Sequence, residues 1–385
     1  MIQIVCVVGA RPNFVKMAPL VHHIQKEWRD HFQVTLVHTG QHYDEKLSQV
    51  FFDELHLPRP DVNLCVGAGS QIRQIAQIME RFEELLLLKK PDLVLVVGDV
   101  SSTLAAALTA EKMGIRVAHV EAGLRSFDRE MPEETNRILT DQLSDFLFVT
   151  EEGAIRNLLN EGCAKEKIFF VGNVMIDALI SHVQEADRST ILDRLRVAPK
   201  NYALMTLHRP ANVDKKEGLE KILYALSRIQ KEIHVVFPVH PRTRHRIDEF
   251  GLEPTLLGLK NVTVCDPVGY LDFLRLMRDA KMVLTDSGGI QEETTVLGVP
   301  CLTLRENTER PVTVTEGSNL LIGTDPQRVI EAVTDILEGR GKKGKVPLFW
   351  DGRAADRIVK ILDRACRVRA DDPTRPVHPA SSSRL

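Results

Sequence analysis

The sequence lacks the features that would mark a secreted, membrane-spanning or nucleic-acid-binding protein. Its six cysteines show no C-x-x-C spacing and most fall in apolar stretches, so we expect reduced core residues of a cytoplasmic protein, with neither disulfides nor a metal site. No apolar run approaches the roughly 20 residues that a membrane-spanning helix needs. The apolar N-terminus has no basic leader and is predicted to be a first strand, not a signal peptide. A net charge of -3 leaves no basic surface for nucleic acid.

What the sequence does contain is a regular alternation of short apolar runs with amphipathic helix patterns. Apolar runs without polar alternation are typical of buried strands in parallel sheets. In the first half of the chain, strands are predicted at 2–8, 33–38, 93–97, 116–120, 145–149 and 167–171, with helices at about 13–28, 44–55, 71–88, 102–113, 134–143 and 152–161. After Gly172 the pattern restarts, with strands at 202–207, 233–239, 262–265, 282–285, 300–304 and 319–322.

This alternation predicts an α/β protein of two Rossmann-like domains, each with a doubly wound parallel sheet, facing each other across a cleft. A length of 385 residues also exceeds one ordinary core. We expect an N-terminal domain over 1–172, a C-terminal nucleotide-binding domain over 173–350, and a helix at about 351–369 that packs back on the first domain. The Pro- and Ser-rich residues 370–385 are predicted to form a flexible tail.

Two of the central strands are followed directly by acidic residues. Asp99 follows the third predicted strand and Glu121 the fourth, with Glu133 and Glu134 shortly after. In open α/β sheets the carboxyl ends of the strands line the ligand crevice. The cluster therefore predicts proton-transfer chemistry at this edge of the sheet.

These acids also have plainer interpretations. Asp99 has the residue type that caps a helix N-terminus, and Glu134 suits the first turn of a helix. Glu121, at the end of an apolar strand, calls for a cationic partner, for which Arg125 and Arg137 are the candidates nearby in the sequence.

The second half contains a turn suited to binding an anion. Ser287, Gly288 and Gly289 lie between a predicted strand and a helix, where backbone N–H groups and the positive end of the helix dipole favour phosphate. Glu293 follows within the helix, at a distance suited to a ribose hydroxyl. A tight turn with a serine cap is the plainer interpretation. Neither the G-K-[ST] of a P-loop nor G-x-G-x-x-G is present, so neither ATP hydrolysis nor a tightly bound nicotinamide cofactor is indicated.

Basic side chains fall on the same predicted edge of the two sheets. Arg11 and Lys16 follow the first strand, while His208, His240 and Arg310 follow strands or a loop of the second half. Each of these alone would suit an ordinary surface charge. Together they match the needs of a diphosphate leaving group, because cationic donors in a water-poor site stabilise negative charge as it develops.

Ten motifs in register give the chain a resemblance to one enzyme family. They are GARPNFVKMAPL, HTGQHYD, GDVSSTLAA, HVEAGLRS, PEETNRILTD, GNVMIDAL, LHRPANVD, PVHPRT, LTDSGGIQEE and TERPVTVTEGSN, spread over about residues 1–325. In type and order they resemble the motifs of the non-hydrolysing UDP-N-acetylglucosamine 2-epimerases. The resemblance implies a fold like that of GT-B glycosyltransferases, a UDP-sugar substrate, no dissociable cofactor and a homodimer.

The resemblance also implies roles for individual residues. It assigns acid/base catalysis to Asp99, Glu121 and Glu133, without dividing the roles of acid and base among them, and a catalytic contact to the leaving group to His208. The residues implied to bind substrate are Arg11, Lys16, Arg137, His240, Val268, Phe273, Ser287, Gly288, Gly289, Glu293 and Arg310. Of these, Val268 and Phe273 fall where the family binds the uracil end, and Val268 does so through its backbone.

The implied reaction explains why such residues are needed. The C2 hydrogen of the sugar is not next to a carbonyl, so loss of UDP from C1 has to assist its removal. The resemblance implies 2-acetamidoglucal and UDP as intermediates, and re-addition with inversion at C2 then gives UDP-N-acetylmannosamine. Other activities stay open at this point: epimerisation of a modified UDP-hexosamine such as a 2,3-diacetamido uronic acid, a hydrolysing relative that releases N-acetylmannosamine and UDP, and a GT-B glycosyltransferase.

Overall fold

The computed structural model describes residues 1–40 and 56–370, apart from the side chains of Arg11 and of residues 368–370. The chain divides into two compact units: unit 1 comprises Met1–Ala178 and Leu348–Leu385, and unit 2 comprises Leu179–Pro347. Each unit is built on one parallel sheet flanked by helices, so the predicted fold class is confirmed. The helix predicted at 44–55 and the tail from residue 371 lie outside the described residues.

Unit 1 contains a seven-stranded sheet with the order β3-β2-β1-β4-β5-β6-β7. Its elements are β1 (Ile2–Val8), α1 (Arg11–Glu27), β2 (Phe32–His38), β3 (Val62–Asn63), α2 (Gln71–Lys89), β4 (Leu93–Val97), α3 (Ser101–Lys112), β5 (Arg116–Ala122), α4 (Pro132–Leu143), β6 (Phe146–Val149), α5 (Glu152–Asn160), β7 (Ile168–Phe170) and α6 (Val174–His182), which runs into unit 2. The two-residue strand β3 was not predicted, because so short a segment has no detectable periodicity.

Unit 2 contains a six-stranded parallel sheet with the order β10-β9-β8-β11-β12-β13. Its elements are α7 (Ile191–Leu195), β8 (Tyr202–Thr206), α8 (Pro210–Val213), α9 (Lys216–Ile229), β9 (His234–Pro238), α10 (Pro241–Glu249), α11 (Glu253–Leu257), β10 (Val262–Cys265), α12 (Tyr270–Asp279), β11 (Met282–Thr285), α13 (Gly288–Leu297), β12 (Cys301–Thr303), α14 (Pro311–Thr315), β13 (Asn319–Leu321) and α15 (Pro326–Leu337).

Each sheet has a point at which the order of its strands reverses. In unit 1 the reversal falls between β1 and β4, and in unit 2 between β8 and β11. The strands there are buried on both faces; every residue of β4, for example, is buried. Ligands of doubly wound sheets bind at the carboxyl ends of the strands that flank such a reversal. The loops after β1, β4, β8 and β11 are therefore where a site is expected, and Asp99, His208 and Ser287 lie in them.

The last helix, α16 (Ala354–Ala370), belongs to unit 1 and packs against α1. The Nδ1 atom of His31 lies 2.9 Å from a carboxylate oxygen of Asp363 at this contact. Ahead of the helix, the Trp350 side chain is buried and its indole N–H donates to the carbonyl of Thr150 at 2.9 Å. The first stretch of unit 1 continues through Ala178, six residues past the domain boundary predicted at Gly172.

Asp177 caps the N-terminus of α16 from within α6. Its carboxylate accepts hydrogen bonds from the backbone N–H groups of Ala354, at 3.1 Å, and Ala355, at 2.7 Å. Burial raises the pKa of Asp177 to about 6, although the two N–H groups oppose the shift. None of the helices within the described residues has the length and apolar character needed to cross a membrane.

Replacing Asp177 with alanine removes the acceptor for two N–H groups at the start of α16. Caps of this kind are worth about 1 kcal/mol, and at about pH 5, below the raised pKa of Asp177, we expect the free energy of unfolding of unit 1 to fall by about that amount. Both tryptophans, Trp28 and Trp350, belong to unit 1, so urea denaturation followed by tryptophan fluorescence measures the change. Asp30→Ala, which removes an exposed carboxylate, is the matched control. Equal stability of Asp177→Ala and wild type would contradict the prediction.

Candidate active site

Glu121 lies inside β5, at an irregularity in its pairing with β6. The register shifts between Val120 and Ala122, so Glu121 is the extra residue of a bulge, and its φ of +77° lies in the left-handed region. The strand was predicted to end at Val120; instead the bulge lets the strand continue to Ala122 while it redirects one side chain. A left-handed conformation costs a non-glycine residue on the order of 1–3 kcal/mol, and such conformations concentrate at functional sites.

Lys16 forms the ion pair with Glu121. Its Nζ atom, carried by α1, lies 2.6 Å from Oε1 of the carboxylate, and both side chains are buried. The sequence did not anticipate this pair, and suggested Arg125 or Arg137 instead. Gly98, which has a φ of +68°, lies beside the ammonium group, and a Cβ at this position would lie 2.9 Å from Nζ. Glycine at 98 therefore leaves the room that the lysine needs to reach Glu121.

Asp99 is held by Arg137 of α4. The Nε atom of Arg137 donates to Oδ2 of Asp99 at 3.0 Å, and its Nη2 atom lies 2.9 Å from the same oxygen. The side-chain amide of Asn136 donates to the backbone carbonyl of Asp99 at 2.8 Å. The N-cap of α3 is Val100, so the interpretation of Asp99 as a helix cap is wrong. Because β4 and β5 pair in register, Asp99 and Glu121 stand at the carboxyl ends of neighbouring strands.

Glu133 and Glu134 differ in their environments although they are adjacent. Glu134 is buried and accepts hydrogen bonds from the N–H groups of Ser126, at 3.0 Å, and Phe127, at 2.8 Å, and from Nη1 of Arg137, at 2.5 Å. It therefore fixes the loop between β5 and α4. Glu133 is half-buried and forms no hydrogen bond or ion pair within the part of the chain that the structure describes. Among the described residues Glu133 therefore has no hydrogen bond to Asp99 or Glu121.

In unit 2, His208 is paired with Asp286. His208 follows β8 and Asp286 follows the neighbouring β11, and Nδ1 of the histidine lies 2.9 Å from Oδ1 of the aspartate. The aspartate is fully buried and also accepts from the backbone N–H of His208 at 3.1 Å, from that of Arg209 at 2.9 Å and from the side-chain amide of Asn212 at 3.1 Å. Burial alone would raise the pKa of Asp286, but these bonds and the His208 ring hold it below its usual value.

Asp286 was missed in the sequence, although the signal was present. It follows an apolar strand directly, as Glu121 follows the predicted strand 116–120, although its place before Ser287 also suits a residue of the turn. Its contact fixes which ring nitrogen of His208 faces the protein interior. The ring of His240 lies nearby, with its centroid 5.7 Å from that of His208.

The start of α13 is packed against Arg310. A Cβ at Gly288 would lie 2.6 Å from Nη1 of Arg310 and 2.7 Å from a carboxylate oxygen of Glu309, so any other residue there requires these side chains to move. Arg310 is buried and pairs with Glu292 at 2.9 Å and with Glu309 at 2.6 Å. Arg305 binds the other oxygen of Glu309 at 2.9 Å. The predicted anion-binding turn and the predicted diphosphate arginine are thus neighbours, and the two acids that hold the arginine were not predicted.

Glu293 is buried one turn further along α13. Burial, with a further contribution from the charge of Glu292, raises the pKa of Glu293 to about 8. The hydroxyl of Tyr270 lies 3.5 Å from Oε1 and is the hydrogen-bond donor to it. At neutral pH the carboxyl group of Glu293 is therefore mainly protonated, and it can donate as well as accept a hydrogen bond.

The remaining predicted residues lie at the same edges with fewer contacts. Ser287 is the N-cap residue of α13, but its side chain makes no capping hydrogen bond, so the interpretation as a simple serine cap is wrong. Gly289 and Phe273 lie in the first turns of α13 and α12, and Val268 in the loop before α12; all are half-buried. The side chain of Arg11 lies outside the described residues.

The comparisons with known proteins agree with one another. The family model described as UDP-N-acetylglucosamine 2-epimerase matches residues 25–363. A UDP-N-acetylglucosamine 2-epimerase homolog of Methanococcus maripaludis is 45% identical over 362 residues, which cover 94% of this chain and 99% of that protein. A UDP-2,3-diacetamido-2,3-dideoxy-D-glucuronate 2-epimerase of Pseudomonas aeruginosa is 40% identical, with coverage of 94% and 99%. The crystal structure of UDP-GlcNAc 2-epimerase of Methanocaldococcus jannaschii with UDP-GlcNAc and UDP has a TM-score of 0.87 at 42% identity, covering 94% of this chain and 100% of that one.

Two parallel α/β sheets with charged residues at their carboxyl edges, together with these matches, define an enzyme of the epimerase class. The chain belongs to the UDP-N-acetylglucosamine 2-epimerase family. The family expected from the ten motifs is thereby confirmed.

The raised pKa of Glu293 predicts a pH dependence of stability. The folded protein keeps this carboxyl protonated up to about pH 8, whereas the unfolded chain releases the proton near the ordinary glutamate pKa of 4.5. The contribution of Glu293 to the free energy of unfolding therefore falls as pH rises from about 4.5 to about 8. We expect Glu293→Gln to match wild type below this window and to be more stable above it, by on the order of a few kcal/mol.

Urea unfolding followed by far-UV circular dichroism at several pH values measures this difference. Glu232→Gln, which neutralises an exposed glutamate of unit 2, is the control and should leave the pH profile unchanged. A constant difference between Glu293→Gln and wild type across the window would contradict the prediction.

Proposed function

We propose that this protein interconverts UDP-N-acetylglucosamine and UDP-N-acetylmannosamine by elimination and re-addition of UDP. The observation that carries the proposal is the pair of carboxylates, Asp99 and Glu121, held by cations at the ends of neighbouring strands in a member of this family. Binding of a nucleotide sugar alone would not require acids in such costly positions. The homodimeric state and cytoplasmic location expected from the sequence are part of the same proposal.

The chemistry requires cleavage at C1 to accompany proton loss at C2. When the C1–oxygen bond breaks, its electron pair leaves with UDP, and the adjacent C2–H bond becomes acidic. A carboxylate accepts that proton, and the C–H electron pair forms the C1–C2 double bond of 2-acetamidoglucal. Protonation of C2 from the opposite face and re-addition of UDP then complete the epimerisation. General acid/base catalysis of this type typically contributes about 10²–10⁴-fold in rate.

In this proposal, unit 1 supplies the proton-transfer groups. The ion pair with Lys16 and the bulge in β5 orient the Glu121 carboxylate, while two nitrogens of Arg137 orient that of Asp99. Such fixed geometry matters because small displacements of a catalytic group are costly in rate. Glu133, half-buried and without a partner within the described residues, is the third candidate. The division of acid and base roles among the three acids stays open.

Unit 2 supplies the leaving-group site in the same proposal. The N-terminus of α13 at Gly288 offers backbone N–H groups to the diphosphate, and Arg310 lies beside it. Asp286 orients His208, so that its Nε2 atom is the one directed away from the aspartate. Glu293 would bind the ribose, and Val268 and Phe273 the uracil. Together these groups stabilise the charge that UDP gains when it leaves.

A second candidate substrate has support from one comparison. The Pseudomonas aeruginosa relative, 40% identical over nearly its whole length, is described as acting on UDP-2,3-diacetamido-2,3-dideoxy-D-glucuronate. That name describes the same change at C2 on a differently decorated sugar. A UDP-hexosamine with a 3-acetamido group and a carboxylate is therefore the alternative substrate to test.

Solvent isotope exchange tests the proposed reaction. In D2O, with UDP-N-acetylglucosamine as sole substrate, we expect deuterium at C2 of both epimers, measured by proton NMR and mass spectrometry. Glu121→Gln should slow this exchange by about 10²–10⁴-fold, because it removes a proton acceptor. Glu130→Gln neutralises an exposed glutamate in the loop between β5 and α4, and it should leave the exchange rate unchanged. Lack of deuterium at C2 would overturn the proposal, and stoichiometric release of free UDP would indicate a hydrolysing enzyme instead.

Gly288→Ala tests the proposed diphosphate site. The added methyl would lie 2.6 Å from Arg310 and 2.7 Å from Glu309, so the start of α13 or the arginine has to move. We expect the affinity for UDP, measured by isothermal titration calorimetry, to fall at least about tenfold, which corresponds to about 1.4 kcal/mol. The control is Gly69→Ala, where the nearest atom to the new Cβ would be 3.8 Å away. Unchanged UDP affinity in Gly288→Ala would refute the assignment.

A further inference from the structure

His119 is a fully buried histidine that bridges the two strand ends carrying Asp99 and Glu121. It lies on β5, two residues before Glu121, and its Nε2 atom is 2.9 Å from the carbonyl oxygen of Gly98, the residue before Asp99. Its Nδ1 atom is 2.7 Å from Oδ1 of Asp141 on α4.

Both ring nitrogens of His119 face hydrogen-bond acceptors. A backbone carbonyl oxygen has no hydrogen to donate, so Nε2 must carry one. The carboxylate of Asp141 already accepts from the N–H of Gly123 at 3.0 Å and from Nη2 of Arg125 at 2.7 Å, both at Oδ2. A carboxylate with these donors accepts at its other oxygen as well, so Nδ1 also carries a hydrogen. A ring that donates from both nitrogens is an imidazolium.

The surrounding charges balance that cation. Arg125 donates from Nε to Glu161 at 2.8 Å and from Nη2 to Glu161 at 2.6 Å, in addition to its bond with Asp141. The cluster therefore contains two cations, His119 and Arg125, and two anions, Asp141 and Glu161. His119, Arg125 and Asp141 are almost completely buried, where an unbalanced charge would be strongly destabilising.

Two further titratable groups lie next to the cluster. Cys163 lies near Asp141 and Glu161, and burial, followed by these two charges, raises the pKa of its thiol, which leaves the thiol uncharged. Lys16 lies on the other side of Gly98, paired with Glu121. Neither group supplies the positive charge that would replace that of His119.

We propose that His119 is a positioning residue: as a buried imidazolium clamped between Gly98 and Asp141, it fixes the two turns that present the carboxylates of Asp99 and Glu121. The expected effect of His119 on the reaction rate rests on the proposed function, whereas its charge state does not. His119 is not a catalytic residue, because its ring is fully buried and both nitrogens are bound to protein atoms. Its effect on the reaction passes through the backbone of Gly98 and through Asp141, which also binds the N–H of Gly123, two residues after Glu121.

The charge state of His119 is tested on the wild-type protein. With ¹⁵N-histidine labelling, long-range ¹H–¹⁵N NMR distinguishes an imidazolium from either neutral tautomer, and the signals of His119 are identified by their loss in His119→Gln. We expect both nitrogens to carry a hydrogen at about pH 7, because each faces a hydrogen-bond acceptor. A neutral ring at about pH 7 would overturn the proposal, whether or not the protein is an epimerase.

Two substitutions test the two hydrogen bonds of the His119 ring separately. The amide of His119→Asn retains a donor near the Nδ1 position, toward Asp141, whereas the amide of His119→Gln retains one near Nε2, toward Gly98. We expect each to lower kcat for C2 deuterium exchange by about 10–100-fold while KM and UDP affinity change less than about threefold, because the proposed nucleotide contacts are in unit 2. His31→Gln is the control, because its amide lies near the Nε2 position and so loses the Nδ1 contact with Asp363 of α16.

The kinetic measurements test the positioning role independently of the charge of the ring. Full kcat in both His119 variants would overturn the positioning role even if the ring is an imidazolium. Equal losses in kcat and UDP affinity would also overturn it, since they indicate general damage to the fold. A wild-type protein that incorporates no deuterium would refute the proposed function, and the NMR result would still decide the state of His119.

Discussion

Both units depend on one constraint: a charge at the buried end of a parallel strand needs an opposite charge or several donors beside it. Glu121 meets Lys16, Asp99 meets Arg137, and Asp286 has four donors. Removing one member of a buried pair leaves an uncompensated charge, which typically costs about 3–5 kcal/mol. The ionic side chains at the sheet edges are therefore fixed by the folded protein itself, before any ligand contributes.

Much of the fold could be predicted because it depends on local patterns. The apolar run Leu93–Val97 is buried on both faces, and this is visible in five consecutive residues. The position of Asp99 follows from that strand, since whatever comes after a central parallel strand reaches the same edge of the sheet. The motif at Ser287 was identified as a strand-to-helix turn for the same reason. Ten such motifs in order were sufficient to identify the family.

The rest depends on contacts between distant parts of the chain. Lys16 and Glu121 are 105 residues apart, and no local pattern indicates that they meet. The bulge at Glu121 arises from the pairing of β5 with β6, so a strand end was predicted where the strand continues. The uncharged carboxyl of Glu293 depends on its burial and on the neighbouring charge of Glu292, which outweigh the opposing hydrogen bond from Tyr270. Side-chain identities show which charges exist, but only the packed structure shows how they are compensated.

In the order of the chain, unit 2 is an insert within unit 1. The chain leaves unit 1 after Ala178 and re-enters it at Leu348, where Trp350 and the cap from Asp177 attach the last helix. Shortening the protein from its C-terminus would thus remove part of unit 1 and none of unit 2. Unit 1 contains Asp99 and Glu121, although both are far from the C-terminus in the sequence. Exchange of unit 2 between relatives would correspondingly need two junctions instead of one.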